Sequence, residues 1–163
     1  MAMAWFGWAQ EDPPRHWQVR LGIGSALGLL LAGVFGYSVF MHWDQNSVLE
    51  GHYEWFGLLV GFEVLLAGAG CFYLWRKDRR RWMAWWVALV VALHFFPLAL
   101  LLQDISIALL GLLQAGLLVP LTRRLGGHDW TTSRIVGPLM GVSFLAFAGA
   151  STGFYLLRTG LPW

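Results

Sequence analysis

The sequence predicts an all-α integral membrane bundle of five transmembrane helices, with the N-terminus inside and the C-terminus outside. Of its 163 residues, 58% are hydrophobic and only 12% are charged, whereas about a quarter of an ordinary soluble domain is charged. The apolar residues also come in runs of about 20, the length that crosses a bilayer as a helix. Together these observations exclude a soluble domain.

The predicted spans are separated by short polar stretches. Pro13 and Pro14 end any helix that precedes the first span, since proline breaks a helix interior. That first span is too long for a signal peptide and lacks a small-residue cleavage site, so we expect a retained anchor. Residues 1–18 are then a cytoplasmic segment, which could lie at the membrane interface, and residues 19–163 form a single transmembrane domain. The predicted helices are 19–41, 55–75, 82–102, 105–121 and 135–157.

The third and fourth spans are separated only by Gln103 and Asp104. The forty residues from 82 to 121 are too many for one crossing of about 20 residues, so they must form a tight helical hairpin. The Asp104 carboxylate is well placed to cap the start of the fourth helix.

The basic residues predict the orientation. Cytoplasmic loops of membrane proteins carry an excess of Lys and Arg, and ten of the eleven basic residues here fall on one side of the predicted bundle. Only Arg158 falls on the other side. Most tryptophans lie near the predicted membrane boundaries, where indole rings are favoured. Trp5, Phe6 and Trp8 precede the first span and are expected to lie flat on the inner surface.

Three polar side chains interrupt the apolar spans. They are Glu63 in the second span, His94 in the third and Gln114 in the fourth. At the helical rise, each lies about 12–14 Å from the outer end of its helix. Because a charged group at the bilayer centre costs at least ~2.5–3.5 kcal/mol, such residues face the bundle interior and find partners. We therefore expect Glu63, His94 and Gln114 to converge on one internal polar site.

Pro97 lies three residues after His94 and is expected to kink the third helix. A proline removes one backbone hydrogen bond and frees the carbonyl group of the fourth residue before it, here Leu93. The kink would thus add a bare acceptor beside the histidine.

Three functions fit such a site. An acid and an imidazole in the membrane suit the binding or movement of a small molecule or a proton, and we favour this interpretation. Alternatively, Glu63 and His94 could act as an acid–base pair in an intramembrane enzyme on a lipid-like substrate. A third alternative is a structural or assembly subunit in which these groups only join helices. Whether the protein is an enzyme is left open.

Other ligands receive less support. Among the polar residues of the first outer loop, His42, Asp44 and His52 are candidate metal ligands by type, but their spacing matches no metal site, so no metal is predicted. The residues indicate no particular cofactor. The basic residues follow the membrane edges, which argues against a nucleic-acid partner. The expected partners are the lipid bilayer and a small-molecule or lipid ligand.

Small residues recur at four-residue spacing in the spans. Such pairs let helix backbones approach closely. Most are expected to pack inside the bundle, and one glycine-rich face could contact a second copy of the chain. The pairs are Gly24 and Gly28, Gly57 and Gly61, Gly137 and Gly141, and Gly149 and Gly153.

The segment His94-Phe95-Phe96-Pro97-Leu98-Ala99 within a third span, together with the five-helix layout, resembles small multi-pass bacterial membrane proteins of uncharacterised function. The resemblance implies a bacterial inner-membrane protein and implies no activity.

Overall fold

A computed structural model describes residues 1–43 and 49–159 of the chain, and the regular structure in this part is helical throughout. Five of its helices are long and apolar enough to cross a membrane, which confirms the predicted all-α fold with five spans. A short N-terminal helix, α1 (Ala2–Trp8), precedes them. The five long helices are α2 (Gln18–Met41), α3 (Tyr53–Arg76), α4 (Met83–Leu102), α5 (Ile105–Gly126) and α6 (Ser133–Thr159).

The α4–α5 hairpin has the predicted cap. Gln103 takes the left-handed conformation with a φ of 54°, and the backbone N–H of Asp104 donates to the carbonyl group of Ala99 at 3.0 Å. This arrangement closes the last turn of α4. The Asp104 carboxylate then accepts a hydrogen bond from the backbone N–H of Ser106 at 2.9 Å, which satisfies a free donor in the first turn of α5.

Helix α4 lies at the centre of the packing. It packs most extensively against α5, then against α3, and it also contacts α6, which in turn contacts α2. The side chains at this centre form one buried apolar cluster, whereas α3 contributes no fully buried residue. Helix α3 is therefore a peripheral helix that packs mainly on α4. The cluster consists of Trp5, Ala88, Val91, Ala92, Phe95, Leu110, Leu118, Leu125, Val136 and Met140.

Helix α1 packs between α2 and α6, which corrects the expectation that its aromatic side chains lie flat on the inner surface. Trp5 and Phe6 are each only 4% exposed, and Trp8 is partly buried. The Phe6 ring fills the space beside Gly24 and Gly141, where an added β-carbon would lie 2.7–2.9 Å from ring atoms. The two glycines leave space for the Phe6 ring. Burying the ring removes apolar area from the polar boundary, and this gain in free energy favours the packed position over one on the membrane surface.

The N-terminal segment is also tied to α6 by polar contacts. The Ser133 hydroxyl group donates to Glu11 Oε2 at 2.9 Å, and the Trp8 indole N–H donates to the same oxygen at 3.2 Å. These bonds hold the end of the segment at the start of α6, at the end of the bundle where most basic residues lie. We call this the basic end.

The glycine pairs differ in what surrounds them. Gly24 and Gly28 of α2 and Gly137 and Gly141 of α6 have α1 or the turn after it against them. Among residues 1–43 and 49–159, no neighbouring atom lies within 4 Å of a β-carbon added at Gly57, Gly61, Gly149 or Gly153, so these spaces are open in this part of the chain. Half of the predicted small-residue pairs therefore serve packing within the described chain.

Candidate functional site: a carboxylate–imidazole pair between two spanning helices

Helices α3 and α4 bring Glu63 and His94 to the same depth. Glu63 lies ten residues from Tyr53, the end of α3 that is opposite the basic end, or about 15 Å along the helix axis. His94 lies eight residues from Leu102, the end of α4 on the same side, or about 12 Å. Since the two helices run antiparallel and pack on each other, both side chains reach the same level of their interface.

The two side chains meet. His94 Nδ1 lies 3.5 Å from Glu63 Oε2, and the side chains are 8% and 13% exposed. A charge-assisted hydrogen bond between such groups is usually about 2.7–2.9 Å long. The two groups are therefore in polar contact but are not drawn tightly together, and neither side chain is completely buried.

The pair lies at the flank of the bundle and not in its central cluster. The neighbouring Phe95 is buried in that cluster, whereas Leu93 and Phe96 are 52% and 37% exposed. His94 thus occupies the face of α4 that α3 covers.

A second polar contact fixes the α3–α4 register. The Trp86 indole N–H donates to the carbonyl group of Leu66 at 3.2 Å. The same indole ring lies against Gly70 and occupies the space that a β-carbon there would need. Because Trp86 is eight residues from His94, or about 12 Å along α4, the two contacts hold α3 at two separate heights.

Gln114 makes its hydrogen bond elsewhere. Its side chain is completely buried, and its Nε2 donates to the Ser143 hydroxyl group on α6 at 2.7 Å. The Ser143 hydroxyl group donates in turn to the Met140 carbonyl group, and Gln114 Oε1 has no hydrogen-bond partner among the residues that the structure describes. The structure thus joins Glu63 to His94 and Gln114 to Ser143. Sequence reasoning missed Ser143 as a partner, although its position in the fifth span was the available signal.

The kink expected at Pro97 stays a prediction, and Pro97 lies inside α4. Helix α4 continues through it to Leu102 as one α-helix. Proline has no backbone N–H, so the carbonyl group of Leu93 lacks its usual partner four residues later. This acceptor belongs to the turn that carries His94.

The histidines between α2 and α3 do not assemble a metal site in the described residues. His42 Nδ1 contacts the backbone carbonyl group of Ser38 at 2.9 Å, and His52 Nδ1 contacts that of Glu50 at 3.2 Å. Asp44 lies outside the described residues. In the chain apart from residues 44–48 and 160–163, no three His, Cys, Asp or Glu side chains cluster closely enough to hold a metal ion.

The fold and this geometry define a small multi-pass membrane protein with an acid–imidazole pair between two of its spanning helices. Compared with known proteins, the chain has no significant match to any protein-family model, curated protein or solved structure.

Proposed function

We propose that Glu63 and His94 form an intramembrane site that binds a proton and moves it, alone or with a small molecule. The observation that carries this proposal is the 3.5 Å contact between a carboxylate and an imidazole at one depth of two spanning helices. Ionisable residues inside a membrane are costly to insert and typically mark proton relays and ligand sites.

The pair can exist in two states that differ only in where one proton resides. In the first state, an imidazolium faces a carboxylate. Transfer of the proton from His94 Nδ1 to Glu63 Oε2 gives a neutral imidazole and a neutral carboxylic acid. The ionic state needs both partners close together in a medium of low dielectric constant, whereas the neutral state does not. When one proton arrives at the neutral His94 as another leaves the Glu63 carboxylic acid, the pair returns to the ionic state and its net charge stays zero, so a proton is passed on without leaving a lone charge in the membrane.

The loose contact supports exchange with an incoming group. A carboxylate held by a short bidentate partner would have to give up that bond before it could bind anything else. At 3.5 Å and with 13% of its side chain exposed, Glu63 retains accepting capacity. The incoming group would be a proton donor or the cationic group of a small molecule.

One observation favours a structural role as a second candidate. No residue of α3 is fully buried, so the Glu63–His94 contact could serve mainly to hold this peripheral helix. Interhelical hydrogen bonds in membranes contribute about 0.6–2 kcal/mol each. In that case the acid would be replaceable by a neutral hydrogen-bonding residue with no loss of function.

Proton flux into liposomes separates the two candidates. The purified protein would be reconstituted with a pH-sensitive dye in the lumen, and a potassium diffusion potential would drive protons inward. We expect a dye response above that of protein-free liposomes, its loss in Glu63→Gln, and its retention in Glu54→Gln. Glu54 is the matched control because it is an exposed glutamate in the first turn of the same helix. Equal responses from both variants and the wild type would contradict the proposal.

We further propose that the basic end faces the cytoplasm, in a bacterial inner membrane. Ten of the eleven basic residues support this orientation by the excess of Lys and Arg in cytoplasmic loops. Single cysteines introduced by His52→Cys and Arg80→Cys in a Cys71→Ala background test it. We expect a membrane-impermeant maleimide to label the first variant in intact cells and the second only after permeabilisation.

We also propose that two copies of the chain associate through the open glycine pairs. Gly57 and Gly61 on α3, and Gly149 and Gly153 on α6, have space for a second backbone, as glycine pairs at helix dimer interfaces do. Mass measurement of the purified protein in detergent would show the number of copies.

A further inference from the structure

A cavity of about 520 Å³ lies at the basic end of the bundle. Its wall is formed by the ends of α3 and α5 and the start of α4, well below the Glu63–His94 pair. The volume falls within the range of about 300–1,000 Å³ that is typical of small-molecule sites. Its lining includes Gly70, Tyr73, Arg79, Trp82, Trp86 and Thr122.

The aromatic side chains give this cavity apolar walls. Trp85 also lines the cavity. The indole N–H groups of Trp85 and Trp86 already have partners, since Trp86 donates to the carbonyl group of Leu66 and Trp85 donates to that of Leu118 at 3.4 Å. The Thr122 hydroxyl group donates to the carbonyl group of Leu118 in its own helix at 3.0 Å. The rings therefore offer carbon surface to an occupant, at the membrane boundary where tryptophan is favoured.

One cation lines this apolar space. After α3, Asp78 takes a left-handed conformation with a φ of 57°, and the backbone N–H of Arg79 donates to the carbonyl group of Leu74 at 2.8 Å. This helix-ending turn reverses the chain and brings Arg79 back to the cavity wall. Among the residues that line the cavity, Arg79 carries the only charge.

The other cations of the same turn are placed differently. Each lies over an aromatic ring, at 5.3–6.0 Å from its centroid, in a cation–π arrangement. They surround the cavity with positive charge without lining it. These residues are Arg76 over Phe72, Lys77 over Tyr73, Arg80 over Trp75 and Arg81 over Trp82.

We infer that this cavity binds an anionic phospholipid, with an acyl chain against the tryptophans and the phosphate group on Arg79. A guanidinium presents paired donors that match phosphate oxygens, and basic clusters beside spanning helices attract anionic lipids. The apolar walls favour a lipid over a soluble anion, because a free phosphate would gain nothing from them. This inference stands on different residues from the proposed proton site and does not depend on it.

Native mass spectrometry of the detergent-purified protein tests the inference. The protein would be given an equimolar mixture of phosphatidylglycerol and phosphatidylcholine, and the retained lipid would be counted. We expect a preference of about tenfold for the anionic lipid in the wild type, the scale of one charge-assisted hydrogen-bonded contact. Arg79→Gln should reduce that preference to near one. Arg80→Gln is the matched control, because it lowers the net charge by the same amount but changes a cation outside the cavity wall. We expect this variant to keep the preference for the anionic lipid within about twofold of the wild-type value.

A cavity-filling variant provides the second arm. Thr122→Phe places a ring in the cavity from α5 and leaves every arginine in place, so we expect it to reduce lipid retention while the melting temperature stays near that of the wild type. Equal loss of preference in Arg79→Gln and Arg80→Gln would overturn the inference in favour of diffuse attraction by the basic turn. Equal retention of both lipids, or displacement of the lipid by inorganic phosphate, would also overturn it.

Discussion

His94 Nδ1 lies 3.5 Å from Glu63 Oε2 and joins the peripheral helix α3 to the central helix α4. The contact has a companion about 12 Å further along α4, where the Trp86 indole N–H donates to the carbonyl group of Leu66. Helix α3 has no fully buried residue. We therefore expect these two polar contacts to help fix its position against α4. A change of protonation in the pair would therefore act directly on the interface between α3 and α4.

The pair should contribute modestly to stability. We expect Glu63→Gln and His94→Asn each to lower the free energy of unfolding by less than about 2 kcal/mol, because each amide can still form an interhelical hydrogen bond of the usual ~0.6–2 kcal/mol. Unfolding of the single and double variants in mixed micelles would give the coupling energy between the two positions. Failure of Glu63→Gln to accumulate as folded protein would contradict this expectation, because it would mean that the amide cannot replace the carboxylate at this contact.

The packing of helix α1 against α6 predicts that substitutions at two glycines of α6 differ in their effect on stability. Gly141 lies against the Phe6 ring, whereas the space at Gly149 is open. We expect Gly141→Leu to lower the free energy of unfolding by about 1–3 kcal/mol through overpacking and to expose α1 to protease. Gly149→Leu should leave both properties near their wild-type values. Comparable protease resistance of the N-terminal segment in the two variants would show that α1 is not seated on Gly141.

The buried amide of Gln114 predicts an unequal effect of removing either partner of its hydrogen bond. Ser143→Ala leaves the Gln114 amide without its partner, and a buried unsatisfied group costs about 1–3 kcal/mol. Gln114→Leu removes that amide, including the Oε1 atom that already lacks a partner, so its cost should be smaller. Thermal unfolding in detergent would rank the two variants, and the opposite order would mean that Oε1 has a partner in the membrane.

Much of the fold was predictable because bilayer thickness constrains sequence directly. Apolar runs of about 20 residues specify the spans, and the helix bounds differ from the predicted ones chiefly at α5, which continues to Gly126. The cap at Asp104 followed from residue type and position. The depth shared by Glu63 and His94 followed from the helical rise, because antiparallel neighbours joined by a short turn place equal distances from the ends at equal heights.

Lateral packing was not predictable in the same way. The sequence indicates the depth of Gln114 but not which neighbouring helix its side chain faces, and Ser143 on α6 lies within reach as its partner. Helix α1 has only seven residues, too few for a periodic signal, and its place depends on glycines from two other helices. The cavity beside Arg79 depends on a left-handed Asp78, a conformation that residue type alone does not impose.

Infrared difference spectroscopy of the reconstituted protein tests the central claim most directly, because protonated and ionised carboxyl groups absorb at separate frequencies. As the external pH is changed, we expect a protonated-carboxyl band that is absent in Glu63→Gln, that shifts in His94→Asn, and that is unchanged in Glu54→Gln. Such a band would show that the buried acid exchanges its proton with the outside through its imidazole partner. A spectrum in which Glu63→Gln removes no pH-dependent carboxyl band would contradict the account.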